Sequence, residues 1–153
     1  MSEFSIAFEP PGSGLHPRRA RVMIGTFQES ILIPLAFWSE TEYQAQWLAA
    51  CDLLTRTSAD RVAFLVDVAA SWNAMRMTFA WVAYRSDLRS VRVQNMILWP
   101  SKFPRLCLME PHAAVPDRQT HSNTPGQRTQ AISEWNTDLK AIERFAAALR
   151  RVP

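Results

Sequence analysis

Histidines and cysteines are the side chains of this chain best suited to proton transfer, metal binding or nucleophilic attack near neutral pH. The histidines His16, His112 and His121 form no His-x-His or His-x-x-x-His pair, and Cys51 and Cys107 form no Cys-x-x-Cys pair. Metal sites are commonly built on such pairs, so the spacing predicts no metal site. His112 and His121 share one polar stretch and could act together as acid and base, and solvated loop side chains are the alternative.

Motifs that bind phosphate or present a nucleophilic serine are absent from the sequence. Only four glycines occur, and three of them lie between residues 12 and 25. There is no Walker or dinucleotide-binding fingerprint and no Gly-x-Ser-x-Gly elbow. We therefore expect a protein that is not an enzyme and needs no cofactor. The alternative is a small hydrolase or nuclease that uses His112 or His121.

Length and composition predict one globular domain over residues 1–153. With 48% hydrophobic and 20% charged residues, the chain can bury about 70% of its extended surface without a metal or a disulfide. No apolar run reaches the length of about 18 residues that a membrane span needs. The N-terminal residues 1–4 lack the features of a secretory signal, so we expect a cytoplasmic protein. Cys51 and Cys107, placed by the sequence in a helix and an apolar strand, are expected to be free thiols, and a disulfide between them is the alternative.

The net charge of +3 comes largely from the two ends of the chain, where the basic residues are Arg18, Arg19, Arg21, Arg144, Arg150 and Arg151. A nucleic-acid-binding protein usually concentrates such residues in one stripe, which this pattern does not predict. We therefore expect no direct contact with nucleic acid. An adaptor that binds nucleic acid through its basic ends is the second alternative.

Hydrophobic patterns predict an antiparallel sheet. Period-two alternation or β-branched and aromatic enrichment marks strands at residues 4–8, 21–24, 27–35, 61–68, 75–84 and 91–99. Gly25-Thr26 is expected to form a tight hairpin turn. Residues 106–109 are expected to form a short strand at most, and residues 132–135 are expected to rejoin the sheet.

Two helices complete the predicted fold. Ser39 and Glu42 match a capping box, and an apolar stripe that includes Tyr43 and Trp47 continues the first helix to Arg56. A second helix is expected over residues 137–150. The fold class is therefore predicted to be α+β, with an antiparallel sheet of about five to seven strands and two helices packed on it.

Four residues are candidates for contact with a protein partner. Glu40 and Glu42 would attract a basic partner, although helix capping already accounts for both. Asp67 is an acid inside an apolar strand, which is costly unless the carboxylate is paired or exposed. Trp72 lies in a predicted turn, where an exposed indole would be an anchor; an indole folded back over the sheet edge is the alternative.

A polar segment over residues 110–130 is too long for a plain connection in a compact domain. It contains three prolines and the candidate contact residues His112, Asp117 and Arg118. We interpret the segment as a partner-contact loop or a mobile arm.

Five short phrases, taken in order, resemble a known family. They are Gly25 to Glu29, Ile33 to Ser39 with its Pro-x-x-x-Trp-Ser pattern, the Tyr-x-x-Gln-Trp of Tyr43 to Trp47, Val93 to Leu98 with its Gln-Asn pair, and Ile132 to Trp135 with its Ser-Glu-Trp. A strand ending in Tyr84-Arg85 lies among them. In this order the phrases are similar to those of bacterial immunity proteins of the CdiI type, from contact-dependent growth inhibition systems.

The resemblance implies a cytoplasmic, non-enzymatic protein that binds the toxic C-terminal domain of a large CdiA-type exoprotein. Toxins of such systems are often nucleases, and neutralisation is by a stoichiometric complex with the cognate toxin. The resemblance also implies structural roles for the shared residues: Trp38 and Trp47 in the core, Gln94 and Asn95 as hydrogen-bonding groups of the sheet, and Glu134 and Trp135 as anchors of the C-terminal segment. The chain departs from the family pattern after the Gln-Asn strand, where an expected acidic stretch is missing, and in its basic net charge.

Overall fold

The computed structural model describes residues 2–10, 17–119, 121–122, 130–131 and 133–153. The strands are β1 (Phe4–Phe8), β2 (Arg18–Ile24), β3 (Phe27–Ile33), β4 (Arg61–Leu65), β5 (Thr78–Arg85), β6 (Ser90–Leu98), β7 (His121–Ser122), β8 (Gln130–Ala131) and β9 (Trp135–Asp138). The helices are α1 (Glu40–Arg56) and α2 (Leu139–Arg150), and 3₁₀ turns lie at Trp72–Ala74, Pro100–Lys102 and Pro111–Ala114. The predicted α+β class is confirmed.

The main strands form two antiparallel sheets where the sequence predicted one. The three-stranded sheet has the order β1-β2-β3, the four-stranded sheet has the order β4-β5-β6-β9, and β7 pairs with β8. Aromatic rings join the two larger sheets: Phe4 lies 5.0 Å from Phe64, and Phe27 lies 4.3 Å from Trp135 and 6.2 Å from Trp81 between ring centroids. The core of the protein therefore lies between the sheets and the two helices.

Gly25 closes the predicted hairpin between β2 and β3. Its φ of +60° is a conformation that favours glycine at the first central position of a type II′ turn. The Gly25 N–H donates to the Glu3 carbonyl at 2.8 Å, and a Cβ at this position would lie 3.2 Å from the Asn136 carbonyl oxygen. The turn thus holds the three-stranded sheet against the start of the chain and β9.

Helix α1 begins at the predicted capping box. The Ser39 Oγ accepts from the Glu42 N–H at 3.3 Å, and Glu42 Oε1 accepts from the Ser39 N–H at 3.3 Å. At the other end of the helix, the guanidinium of Arg85 donates to the carbonyls of Leu54 and Thr57. Both ends of α1 are therefore satisfied, the second by a side chain from β5.

Several predicted boundaries are wrong for identifiable reasons. Helix α2 begins at Leu139 and not at Thr137, because Thr137 and Asp138 pair with β6 and the Asp138 carboxylate caps the helix by accepting from the Ala141 N–H at 2.8 Å. Strand β5 begins at Thr78 because the 3₁₀ turn before it holds Met75.

Two further strand predictions differ from the structure. Strand β4 ends at Leu65, three residues before the predicted end. Residues 106–109 form turns and not a strand, because the backbone closes on itself through Leu106 N–H to Phe103 and Glu110 N–H to Cys107. Cys107 is consequently exposed in a turn, whereas Cys51 is buried in α1, and both are free thiols.

The outer edge of β4 is sealed by side chains. The amide of Gln46 replaces a neighbouring strand: its Nε2 donates to the Ala63 carbonyl at 2.8 Å, and its Oε1 accepts from the Leu65 N–H at 2.9 Å. Trp47 Nε1 donates to the Leu65 carbonyl at 2.8 Å, and His112 Nδ1 accepts from the Ala63 N–H at 2.9 Å. All four backbone groups of Ala63 and Leu65 on this edge thereby find partners, as burial requires.

The same face of α1 continues the seal beyond the strand. Tyr43 precedes Gln46 and Trp47 by three and four residues, the spacing that puts side chains on one helix face. Its hydroxyl accepts from the Val68 N–H at 3.0 Å and donates to the Pro34 carbonyl at 2.7 Å. The backbone on both sides of residue 67 is therefore held in place by α1, at Leu65 and at Val68.

We expect replacement of Gln46 by Leu to lower the free energy of unfolding by about 3 kcal/mol, because it leaves a buried N–H and a buried C=O without partners. Urea denaturation measures the change. Gln44→Leu is the matched control on the same helix and should change stability little. Equal midpoints for Gln46→Leu and wild type would contradict the sealing role of this amide.

Burial lowers the pKa of His112 from 6.5 to about 4. His112 therefore binds a proton more tightly in the unfolded chain than in the folded one. The protein has its full free energy of unfolding above pH 6.5 and loses part of it as the pH falls towards about 4. We expect a loss of about 3 kcal/mol across this window. In His112→Asn, whose amide oxygen can accept from Ala63 without titrating, the slope of stability against pH between 6.5 and 4 should be smaller. Identical slopes for the two proteins would refute the assignment.

Candidate partner interface

The two predicted contact residues at the start of α1 are engaged within the molecule. The Glu40 carboxylate forms an ion pair with Arg18 of β2, whose other nitrogen donates to the Glu9 carbonyl at 2.6 Å. Glu42 completes the capping box. Both acids thus serve the junction of the three-stranded sheet with α1.

Arg118 and Asp117 lie in a segment that is tied to the four-stranded sheet. Arg118 forms two hydrogen bonds of 2.6 Å with the Glu134 carboxylate, and this pairing lowers the pKa of Glu134. Asp117 pairs with Arg61 at 2.8 Å, while its own side chain stays 96% exposed. The charges of this segment are therefore largely compensated within the molecule.

Gln94 connects the same segment to the interior of the sheet. Its buried side-chain nitrogen donates to Glu134 at 2.8 Å and to the Gln119 carbonyl at 2.6 Å. Trp135 stacks on Phe27. These contacts agree with the roles that the family resemblance implies for Gln94, Glu134 and Trp135. Asn95, expected to bond within the sheet, is exposed instead and forms no side-chain hydrogen bond among the described residues.

The predicted anchor Trp72 is buried. Only 3% of the residue is exposed, its Nε1 donates to the Phe103 carbonyl at 2.9 Å, and it packs in a small cluster with Met75 and Ala114. The indole is thus buried, not over the sheet edge but in a cluster beside the segment around Phe103, and it offers little surface to a partner.

His112 is not arranged for catalysis near neutral pH. Its Nδ1 is occupied by the Ala63 N–H, and burial lowers its pKa to about 4. A general acid or base works best with a pKa close to the working pH. His16 and the side chain of His121 lie outside the described residues. Within the described residues, no group of three or more His, Cys, Asp or Glu side chains is placed to hold a metal ion.

Asp67 is the predicted contact residue whose carboxylate stays available. Its backbone carbonyl accepts from the Thr78 hydroxyl at 2.6 Å, and its neighbour Val68 is bonded to Tyr43. Burial raises the pKa of the carboxyl group, and in the part of the chain that the structure describes the carboxylate forms no ion pair or hydrogen bond. A half-buried acid without a partner is an unusual feature of a protein surface.

Asp67 lines an open cleft of about 340 Å³ between the two larger sheets. The walls are Glu29, Ile31 and Leu32 from β3, Val66 and Asp67 beyond β4, Phe79, Ala80 and Trp81 from β5, and Asn95 from β6. We call this site the β3–β5 cleft. The two sheets are in contact at Phe27 and Trp81, with ring centroids 6.2 Å apart, and the cleft lies beside this contact.

Large apolar side chains are exposed at and beside the β3–β5 cleft. The exposed fractions are 45% for Phe79, 61% for Leu32 and 42% for Met77, and Trp99 follows β6 with 39%. Strand alternation explains Phe79: its neighbours Thr78 and Ala80 point to the buried face, so Phe79 points to the cleft. Of these residues, Phe79 has its side chain on the face of β5 that lines the cleft.

The sequence pattern did not single out Phe79, because alternation places it in a strand without showing which part of that strand is covered. One local signal was available. Glu29 pairs with Val22 of β2 and therefore shares its face, which is buried at Val22. An acid on this inward face of β3 indicates that the two sheets are not packed together at this point.

Comparisons with known proteins give a consistent result. A family model described as the CdiI N-terminal domain matches residues 33–145. A protein of Enterobacter cloacae named immunity protein CdiI is 26% identical over 129 residues, covering 84% of this chain and 83% of that protein. The solved structure of a CdiA-CT/CdiI toxin and immunity complex from Enterobacter cloacae contains a chain of the same fold, with a TM-score of 0.83 and 22% identity over 97% of this chain and 99% of that one.

The helices in the described part of the chain were compared with the requirements of a membrane span. None of them combines the necessary length with a sufficiently apolar sequence.

Proposed function

Because the chain belongs to the CdiI family, whose model matches residues 33–145, we propose that it is an immunity protein that neutralises the toxic C-terminal domain of a cognate CdiA-type effector. The family match is the observation that carries the proposal. The similar proteins support it, since one is named an immunity protein and the other belongs to a solved toxin and immunity complex.

Neutralisation proceeds by binding, in a stoichiometric complex that covers the toxin. The structure supports this mode because charged groups of its surface are held by internal contacts: Arg118 by Glu134 and Asp117 by Arg61. A surface that is ordered before binding loses little conformational freedom in the complex, which favours high affinity. The protein needs no cofactor and performs no catalysis in this role.

The proposal places the protein in the cytoplasm, as one domain over residues 1–153, and gives it no direct contact with nucleic acid. Several arginines of the basic ends support the last point. Arg18 pairs with Glu40, Arg150 with Asp52, and Arg144 donates to the Ser2 carbonyl at 2.6 Å. Guanidinium groups that are used internally contribute less to phosphate binding.

The test is a titration of the purified toxin domain of the cognate effector with this protein. We expect a 1:1 complex with a Kd of about 1 nM or tighter, and complete loss of toxin activity at one equivalent. Co-expression should rescue growth of cells that produce the toxin domain. An immunity protein of a different toxin is the control and should neither bind nor rescue.

Two results would overturn the proposal. If a molar excess of the folded protein left the toxin active, binding would not be its function. If far less than one equivalent abolished toxin activity, the protein would be acting catalytically, as in the enzyme alternative. Nucleic acid binding that weakens steeply with salt, without toxin binding, would support the adaptor alternative instead.

A further inference from the structure

The β3–β5 cleft is the place on the described surface where a large ring, other apolar side chains and unpaired acids meet. Phe79 is 45% exposed and Ile31 of β3 lines the opposite wall, while Trp81 closes the floor. Protein interfaces are typically centred on apolar and aromatic surface of this kind, surrounded by polar groups. By contrast, Leu88, which is 90% exposed, lies outside the cleft in the turn between β5 and β6.

Two carboxylates border the cleft on opposite sides. Glu29 lies on β3 and Asp67 lies beyond β4, and neither forms an ion pair among the described residues. Other acids nearby in the fold are used: Glu40 by Arg18, Asp117 by Arg61 and Glu134 by Arg118. The cleft is therefore acidic and uncompensated in a protein whose net charge is +3.

The outer edge of β3 runs along the cleft. Within the described residues β3 pairs only with β2, whereas the outer edge of β4 is sealed by α1 and His112. An open strand edge offers backbone donors and acceptors to an extended segment of another protein. Natural proteins usually protect such an edge, so an open edge beside exposed rings indicates a surface that a partner covers.

We propose that the toxin domain docks in the β3–β5 cleft, through an extended segment that carries an apolar side chain beside a Lys or Arg. The inference rests on the proposed function and specifies its contact surface. The apolar side chain lies against Phe79 and Ile31, and the basic group lies between Asp67 and Glu29. Opposite charge at the rim adds specificity, and burial of the ring supplies most of the affinity.

The experiment measures binding of a catalytically inactive form of the cognate toxin domain to cleft variants by calorimetry. Phe79→Ser should weaken binding by about 30-fold or more, as loss of a central aromatic anchor does. Asp67→Asn should weaken binding by about tenfold at low salt and less at high salt. Glu29→Lys should weaken it further, because the new charge repels the basic group of the toxin segment.

Matched controls separate the cleft from the rest of the surface. Leu88→Ser removes an exposed apolar side chain at the turn between β5 and β6, and Asp117→Asn removes an exposed carboxylate. Both should bind as wild type does. Thermal unfolding of each variant verifies that it is folded. Hydrogen exchange on the wild-type complex, which needs no substitution, should show new protection in residues 28–32 and 77–81.

The outcomes distinguish the two proposals. If the wild-type protein does not bind the toxin domain, the proposed function fails. If the wild type binds but the folded cleft variants bind equally well, or if protection appears only around residues 111–119 with Asp117→Asn as the weakened variant, the function stands and the docking surface proposed here is wrong.

Discussion

The sealed outer edge of β4 is the constraint on which the rest of the structure depends. An edge strand presents backbone groups that will pair with any available chain, and burial makes each unpaired group costly. Here Gln46 supplies a donor and an acceptor in the place of a peptide group, and Trp47 and His112 complete the set. These hydrogen bonds fix the position of helix α1 against β4. The Tyr43 hydroxyl then extends the arrangement to Val68 and so determines where Asp67 stands.

The aromatic residues divide into two groups with different roles. One group, including Phe4, Phe27 and Trp135, packs between the two larger sheets and joins them. Phe79 lies on the open cleft between β3 and β5 and is 45% exposed, whereas Trp81 on the same face of β5 is buried. One continuous face of β5 therefore contributes to both a core and a surface. For an immunity protein this is an economical arrangement, because the rigid core directly supports the exposed ring.

Local signals predicted much of the fold, and long-range bonds account for what was missed. The capping box at Ser39 and the turn at Gly25 depend on residues close in sequence, and both are confirmed. The role of Gln46 depends on Ala63, 17 residues away, and the burial of Trp72 depends on Phe103, 31 residues away. No pattern within one element reveals such partners. The unusual position of Asp67 was visible from the sequence, but its cleft required knowledge of where β3 ends relative to β5.

The charge distribution bears on how such a protein would capture a basic toxin segment. A net charge of +3 opposes a basic partner at long range, whereas Asp67 and Glu29 attract it only at short range. Screening confines both effects to about 8 Å at physiological ionic strength, so the local acids dominate once the surfaces approach. Association is then expected to proceed at an ordinary rate without strong electrostatic steering. High affinity must consequently come from slow dissociation, and slow dissociation requires a buried, well-packed contact. The exposed ring of Phe79, held on a strand between two others, is the feature of the cleft that can provide it.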